Sequence, residues 1–214
     1  MVFESREQAA FLLAERLRAY RGQRPLVLAV PRGAVCMGAV LASALEGELD
    51  VVLVHKLRAP HQPELAIGAV DETGLVELEP HAGQLGVAER YLEAERELQL
   101  QTLRARRAAY SPGRDAIDAA GRVVIVVDDG VATGATMAAA LRAVRAKRPA
   151  RLVAAAAVAS TEAMERLRRA ADEVTVLEVP TAFDAVSLWF ESFPQVDDEE
   201  VVALLRGARA QPPT

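Results

Sequence analysis

The stretch 123–136, V-V-I-V-V-D-D-G-V-A-T-G-A-T, constrains this chain more than any other. Its first five residues are β-branched aliphatics without a polar break, the pattern of a strand buried on both faces, and hence of a sheet with helices on either side. The run is predicted to end at Asp128 and Asp129, which sets two carboxylates at the strand's carboxyl end. Gly130 and Gly134 bracket a short turn through Val131, Ala132 and Thr133, and an alanine-rich helical pattern over 135–145 begins inside it. The turn is therefore read as a helix N-terminus, where unpaired N–H groups carry about half a positive charge.

Residues without bulk let an anion approach such a backbone, and Thr133 and Thr136 add hydroxyl donors. Carboxylates cannot hold a phosphate, but they accept hydrogen bonds from vicinal hydroxyls or hold a hydrated divalent cation. A ligand with a diol close to a phosphate satisfies both halves, which describes a ribose 5-phosphate. The order of aliphatic strand, two acids, three residues and Thr-Gly-x-Thr resembles the phosphoribosyl pyrophosphate (PRPP) motif of type I phosphoribosyltransferases. Phosphorylated receiver domains also place two acids after a strand, but need a further phosphoacceptor Asp and a Lys at later strand ends, which this chain lacks.

With 214 residues the chain is long enough for one sizeable core, read as a single domain over 1–214. Hydrophobic content of 51% with 26% charged residues is that of a globular protein, and no apolar run is long enough to span a bilayer. The opening M-V-F-E-S-R-E-Q lacks a basic region leading into an apolar stretch, so a cytoplasmic location is expected. A net charge of −5 with scattered basic residues argues against nucleic acid as a partner. Cys36, the single cysteine, excludes an intrachain disulfide and reads as a small core residue.

The remaining elements follow in chain order. Ser5 and Gln8 have capping-box spacing ahead of a helical pattern that runs to Gly22. A buried strand over 26–30 meets Pro31-Arg32-Gly33, then a helix over 34–45; Arg32 can present two parallel donors to a phosphate, and Gly33 is expected to supply a backbone conformation closed to other residues. A second strand over 51–54 is expected to end at His55-Lys56-Leu57-Arg58. His55, His61 and His81 lack metal-site spacing and read as surface or capping residues. The segment 57–85, rich in proline and glycine, reads as a mobile lid, with at most a β-ribbon around 66–70; Glu64 is its most suggestive polar residue, without an assigned role. A charged helix over 87–110 follows, then strands over 151–159 and 174–179 with a helix over 161–171 between them, and a terminal helix over 197–208 before residues expected to fray. Scarce aromatics cluster at Phe183, Trp189, Phe190 and Phe193, where stacking on a flat base and ordinary core packing are both open.

These elements imply an α/β fold, a doubly wound and mostly parallel five-stranded sheet of order 2-1-3-4-5, with a core over 22–178. That order places the Arg32 turn beside residues 128–136, at the crevice where strand direction reverses. The resemblance implies more. It makes Pro31, Arg32 and Gly33 a pyrophosphate loop, Lys56 a lysine reaching the leaving group, and 179–196 a hood in which Phe183 and Trp189 meet the base. It gives Asp128 and Asp129 to the ribose hydroxyls, directly or through Mg2+, and Gly130, Val131, Ala132, Thr133, Gly134, Ala135 and Thr136 to the 5-phosphate. The activity implied is transfer of the phosphoribosyl group from PRPP to a nitrogenous base, in nucleotide salvage or synthesis, by a homodimer. The rival reading is a PRPP- or nucleotide-binding regulatory protein with little or no transferase activity. Ala132 stands where hypoxanthine and guanine transferases carry an acid, and Glu191 falls about one residue late for the purine hood, so the base stays open.

Overall fold

Buried parallel strands need apolar residues on both faces, and residues 26–29, 124–127 and 152–159 supply them. The computed structural model describes residues 2–60, 62–79 and 82–210. His61, His81 and the four C-terminal residues expected to fray lie outside the described residues, as does the side chain of Glu64. Contacts divide the chain into two compact units, Met1–Val52 with Asp115–Thr214, and Leu53–Arg114.

The first unit holds five strands: β1 (Leu26–Ala29), β2 (Glu48–Val51), β6 (Val123–Val131), β7 (Arg151–Ala159) and β8 (Glu173–Glu178). They pair in the order β2-β1-β6-β7-β8, every pair parallel, which is the predicted 2-1-3-4-5 winding. The helices are α1 (Arg6–Arg16), α2 (Ala34–Ala44), α4 (Ala135–Ala146), α5 (Thr161–Ala170) and α6 (Asp198–Ala210). All four residues of β1 and every residue of β7 after Arg151 are buried, so the core lies on both faces of the sheet's middle strands. Ser5 caps α1 by accepting the Gln8 N–H at 3.3 Å, while Gln8 Oε1 accepts from Glu4 N–H at 2.8 Å. The helix stops at Arg16 rather than running to Gly22; a short 3-10 turn, Arg18–Tyr20, completes it.

Two expected boundaries shift. The second strand is β2, ending at Val51, and residues 54–58 do not hang from its end: they belong to β3 (Val54–Ala59) of a separate sheet. In β3, Leu57 and Ala59 are buried while Lys56 and Arg58 are exposed, an alternation that a reading of 51–54 as one apolar run had hidden. The second unit is this sheet, with β4 (Gln62–Asp71) and β5 (Val76–Leu78) antiparallel in the order β3-β4-β5, together with α3 (Glu89–Tyr110). Where a loop or ribbon was expected, the backbone is a ten-residue central strand flanked on both edges. Its turn is pinned. Asp71 Oδ1 accepts from Thr73 N–H, Thr73 Oγ1 and Leu75 N–H at 2.6–3.0 Å, and Glu72 receives two bonds from Arg107 of α3 at 2.6 and 2.7 Å.

Candidate active site

A crevice opens in the first sheet because two paired strands part company. β1 and β6 run in register from Leu26↔Val124 to Ala29↔Val127, and the last rung is Val30 N–H to Val127 O at 2.9 Å. β1 then meets Pro31, which has no N–H to donate, whereas β6 continues through Asp128, Asp129 and Gly130 to Val131 alongside β7. The expected strand end at Asp128 is thus corrected: the acids stand inside a strand whose β1 partner has left. This is the point at which strand order reverses, where doubly wound sheets place their ligands.

The Arg32 turn closes the other side. The Pro31–Arg32 peptide is cis, and Gly33 has φ −53° and ψ −40°, an ordinary right-handed helical conformation open to any residue. The expectation that Gly33 supplies unusual backbone is therefore wrong. Glycine is required there because a Cβ would overlap Asp129 Oδ2 and lie 3.0 Å from Arg6 Nη2. The Asp129 carboxylate accordingly faces the turn. Gly33→Ala is expected to swing Asp129 off its partner and to weaken binding of any ligand held by both turn and acid by about tenfold, the scale of one lost charge-assisted hydrogen bond. Calorimetric titration checks it; an alanine variant that binds as the native protein does would refute the close approach.

The two acids differ. Asp128 accepts the Asp129 N–H on Oδ1 at 2.9 Å, and burial together with the neighbouring Asp129 pushes its pKa well above the usual carboxylate range. Asp129 Oδ2 accepts from Arg6 Nε at 2.8 Å, in a pair whose side chains are only 8% and 14% exposed. Arg6 Nη1 donates to the carbonyl of Pro194 at 2.7 Å, and its guanidinium carbon lies 3.6 Å from the centre of the Phe193 ring. Sequence reasoning missed Arg6. One signal was present: a cation at the first position of α1 opposes the helix dipole, so it needs another reason to be there.

Beyond the acids, Val186 occupies the space that a Gly130 side chain would fill. Ala132 and Thr133 are exposed, and the turn is braced from α5, where Ser160 Oγ donates to the carbonyl of Ala132 and also accepts the Ala163 N–H at 3.0 Å. Gly134 has φ +77° and ψ −5°, a left-handed conformation that favours glycine, and its carbonyl accepts the Ala138 N–H at 2.8 Å to start α4. Successive backbone N–H groups in such a turn form an anion-binding concavity. Thr136 lies half-buried in the first turn of α4.

The aromatic stretch divides into two roles. Phe190 is buried and stacks obliquely on Phe3 and Phe193, with ring centres 5.5 and 5.1 Å apart. The N-terminal segment pairs with it as a strand would, through Phe3 N–H to Trp189 O, Glu191 N–H to Phe3 O and Ser192 N–H to Glu4 O at 2.8–3.0 Å. Phe183 and Trp189 are half-buried and take no part in that cluster.

The phosphoribosyl transferase domain model matches residues 4–190, which takes in the crevice, both turns and the 3-10 helix Val186–Trp189. The chain belongs to the phosphoribosyl transferase family. A Mycobacterium tuberculosis protein of strain H37Rv, provisionally named a phosphoribosyl transferase, is 38% identical over 207 residues, covering 95% of this chain but 46% of that protein. The chain therefore spans about half the length of that relative. The crystal structure of TT1426 from Thermus thermophilus superposes with a TM-score of 0.87 at 46% identity, over 96% of this chain and 98% of that one. A hypoxanthine-guanine phosphoribosyltransferase from Bacillus anthracis gives a TM-score of 0.47 at 18% identity, over 86% and 84% of the two chains.

Within the first unit, then, the turn of Pro31, Arg32 and Gly33 abuts Asp129 through Gly33, next to Asp128, with residues 130–136 continuing from the acids and Val186 over Gly130. Arg32 is exposed and makes a long ion pair with Asp198 at 3.8 Å, both side chains being more than half exposed. Lys56 belongs to the second unit, exposed on β3 opposite Ala69. Cys36 Sγ donates to the Gly33 carbonyl at 3.1 Å, and burial pushes its thiol pKa up, as suits an inert residue. Among the described residues no helix is long and apolar enough to cross a membrane.

Proposed function

We propose that this chain transfers the 5-phosphoribosyl group of PRPP to a nitrogenous base with release of pyrophosphate. The observation that carries the reading is the abutment of Gly33 on Asp129, which brings a turn suited to diphosphate within reach of carboxylates suited to a diol. Family membership supports the reaction class; the half-length match to its relative leaves the whole protein's substrates a matter of proposal.

Magnesium fits this donor set, because two adjacent carboxylates suit an ion that keeps waters and takes substrate oxygens. Asp128 and Asp129 would hold it, directly or through the ribose hydroxyls, and when bound it would neutralise part of the diphosphate charge. The chain's own residues do the positioning. The N–H groups of 132–136 grip the 5-phosphate, the acids accept from the 2- and 3-hydroxyls, and Arg32 and Lys56 receive charge that grows on the leaving diphosphate. A base nitrogen forms a bond to the anomeric carbon as the bond from that carbon to the diphosphate oxygen breaks. Positive charge builds on the ribose in between, so the catalytic contribution is chiefly geometry and electrostatics. Phe183 and Trp189, left out of the packed aromatic cluster, are the side chains offered to the base.

Pyrophosphate release from magnesium PRPP against a panel of purine and pyrimidine bases is the test. One base should give turnover, and Lys56→Ala should lower that turnover by about a hundredfold while leaving PRPP affinity within a few fold, the split expected when an interaction matters mainly in the transition state. Silence across the panel with retained PRPP binding would replace the enzyme by a PRPP-responsive regulatory protein. Equal loss of turnover and affinity in the Lys56 variant would remove it from the leaving-group role.

A further inference from the structure

We propose that Arg6 is a positioning residue for the ribose site, fixing the Asp129 carboxylate in the orientation that receives the sugar hydroxyls; the inference rests on the phosphoribosyl reading above. A carboxylate on a strand edge can rotate freely about its side-chain bonds, and a diol needs it held still. Arg6 supplies that hold from a residue 123 positions away in sequence, through Nε to Oδ2 at 2.8 Å.

The guanidinium is itself immobilised. Nη1 donates to Pro194 O at 2.7 Å, the ring of Phe193 covers one face at 3.6 Å, and Nη2 packs against Gly33, where even one added carbon would sit 3.0 Å away. Three surroundings from two parts of the chain thus leave the arginine one position, and the arginine leaves Asp129 one position. A planar fork with donors on Nε and both terminal nitrogens is what permits bonds in different directions at once, and lysine has no equivalent geometry. With one oxygen occupied by Arg6, the carboxylate's remaining acceptor capacity is left for the sugar hydroxyls. A cation opposing the dipole of α1 at its first turn is a cost that this role offsets. Packing alone does not account for it, since an apolar side chain would fill the same space beside Phe193 without burying a charge.

The test is calorimetric titration of magnesium PRPP into the native protein, Arg6→Met, Arg6→Lys, Asp129→Asn and the double variants, each also followed by thermal melting. Arg6→Met should weaken binding at least tenfold. Arg6→Lys should recover only part of that loss, because one ammonium still reaches Asp129 but cannot hold the Pro194 carbonyl at the same time. Adding Asp129→Asn to either Arg6 variant should cost nothing beyond Asp129→Asn alone, because Arg6 acts through that carboxylate. A purely structural role would instead lower the melting temperature and leave affinity unchanged well below it, or give losses that multiply in the double variants, and either result overturns the proposal. Should Arg6→Met fail to fold, the cycle of Arg6→Lys with Asp129→Asn decides by the same criterion. A native protein that ignores magnesium PRPP removes the phosphoribosyl reading itself and this inference with it, a result distinct from native binding that Arg6 does not affect.

Discussion

Asparagine at Asp128 is expected to leave the fold at least as stable as before while costing the protein its hold on magnesium PRPP; asparagine at Asp129 is expected to cost both. The two acids are adjacent in sequence yet sit in opposite electrostatic settings. Asp128 is half-buried beside a like charge, and desolvation with the neighbouring Asp129 holds its pKa well above the usual range. A carboxyl whose folded pKa is raised loses stability for the fold as pH climbs from its unfolded value through the folded one, and an uncharged isostere abolishes that loss. Asparagine can also keep an oxygen on the Asp129 N–H, which Asp128 now accepts at 2.9 Å. Asp129, in contrast, is one half of a pair with Arg6 that is almost wholly enclosed, at 8% and 14% exposure. Neutralising it strands a buried guanidinium, a cost of about 3–5 kcal/mol in comparable pairs, or roughly ten degrees of melting temperature for a chain of this size. In binding, Asp129→Asn removes a charged acceptor from the diol, worth about 1.5–3 kcal/mol or ten- to a hundredfold in affinity, and Asp128→Asn puts an amide in place of an oxygen that a diol or a bound cation would use. Thermal melting and PRPP titration on the two single variants check the pattern. The same sign of stability change in both would show that the acids share one environment, contrary to the Arg6 geometry.

The contrast also marks where sequence stops being legible. The order of the parallel sheet could be read because its middle strands β1, β6 and β7 open as buried apolar runs, and because glycine turns follow β1 and β6, although β2 was placed too late in the chain. The acids and the Thr-Gly turn were legible for a related reason, their spacing being set by one strand and one helix end. What escaped were consequences of long-range packing. Arg6 meets Asp129 only because the N-terminal segment pairs with residues 189–192, which no local pattern announces. Gly33 was noticed for the wrong reason: its backbone is ordinary, and a neighbour 96 places along the chain demands its lack of a side chain. In the second unit, Val54–Ala59 alternates as an exposed antiparallel strand should, but its first residue closes an apolar run, so period two was hidden at the join. The proline and glycine of the following segment suggested a loop. Hydrogen bonds from Asp71 and the Glu72–Arg107 pair instead secure a tight turn in a sheet.

Valine at Gly134 should be the most damaging single change to the phosphate turn, lowering stability by roughly 3 kcal/mol or more and abolishing measurable PRPP binding. Two independent costs meet there. The residue holds φ +77°, a left-handed conformation in which a β-branched side chain is a steric outlier. Its missing Cβ also faces backbone: the added carbon would lie 3.1 Å from Ala163 Cα and 3.3 Å from Ala163 Cβ. Ala163 cannot give way cheaply, since it is fully buried and its N–H is held by Ser160, the residue that also braces Ala132. Relief therefore comes at the turn, by moving the N–H groups of 132–136 out of the arc that an anion needs. Alanine and asparagine at the same position separate the two costs, because both bring a Cβ while asparagine tolerates the left-handed region far better. If asparagine is the milder of the two, backbone conformation dominates; if they are equally harmful, the wall at Ala163 does. A valine variant that melts within two degrees of the native protein, about the shift of 1 kcal/mol in a chain of this length, would mean that the turn is not held against α5 at all.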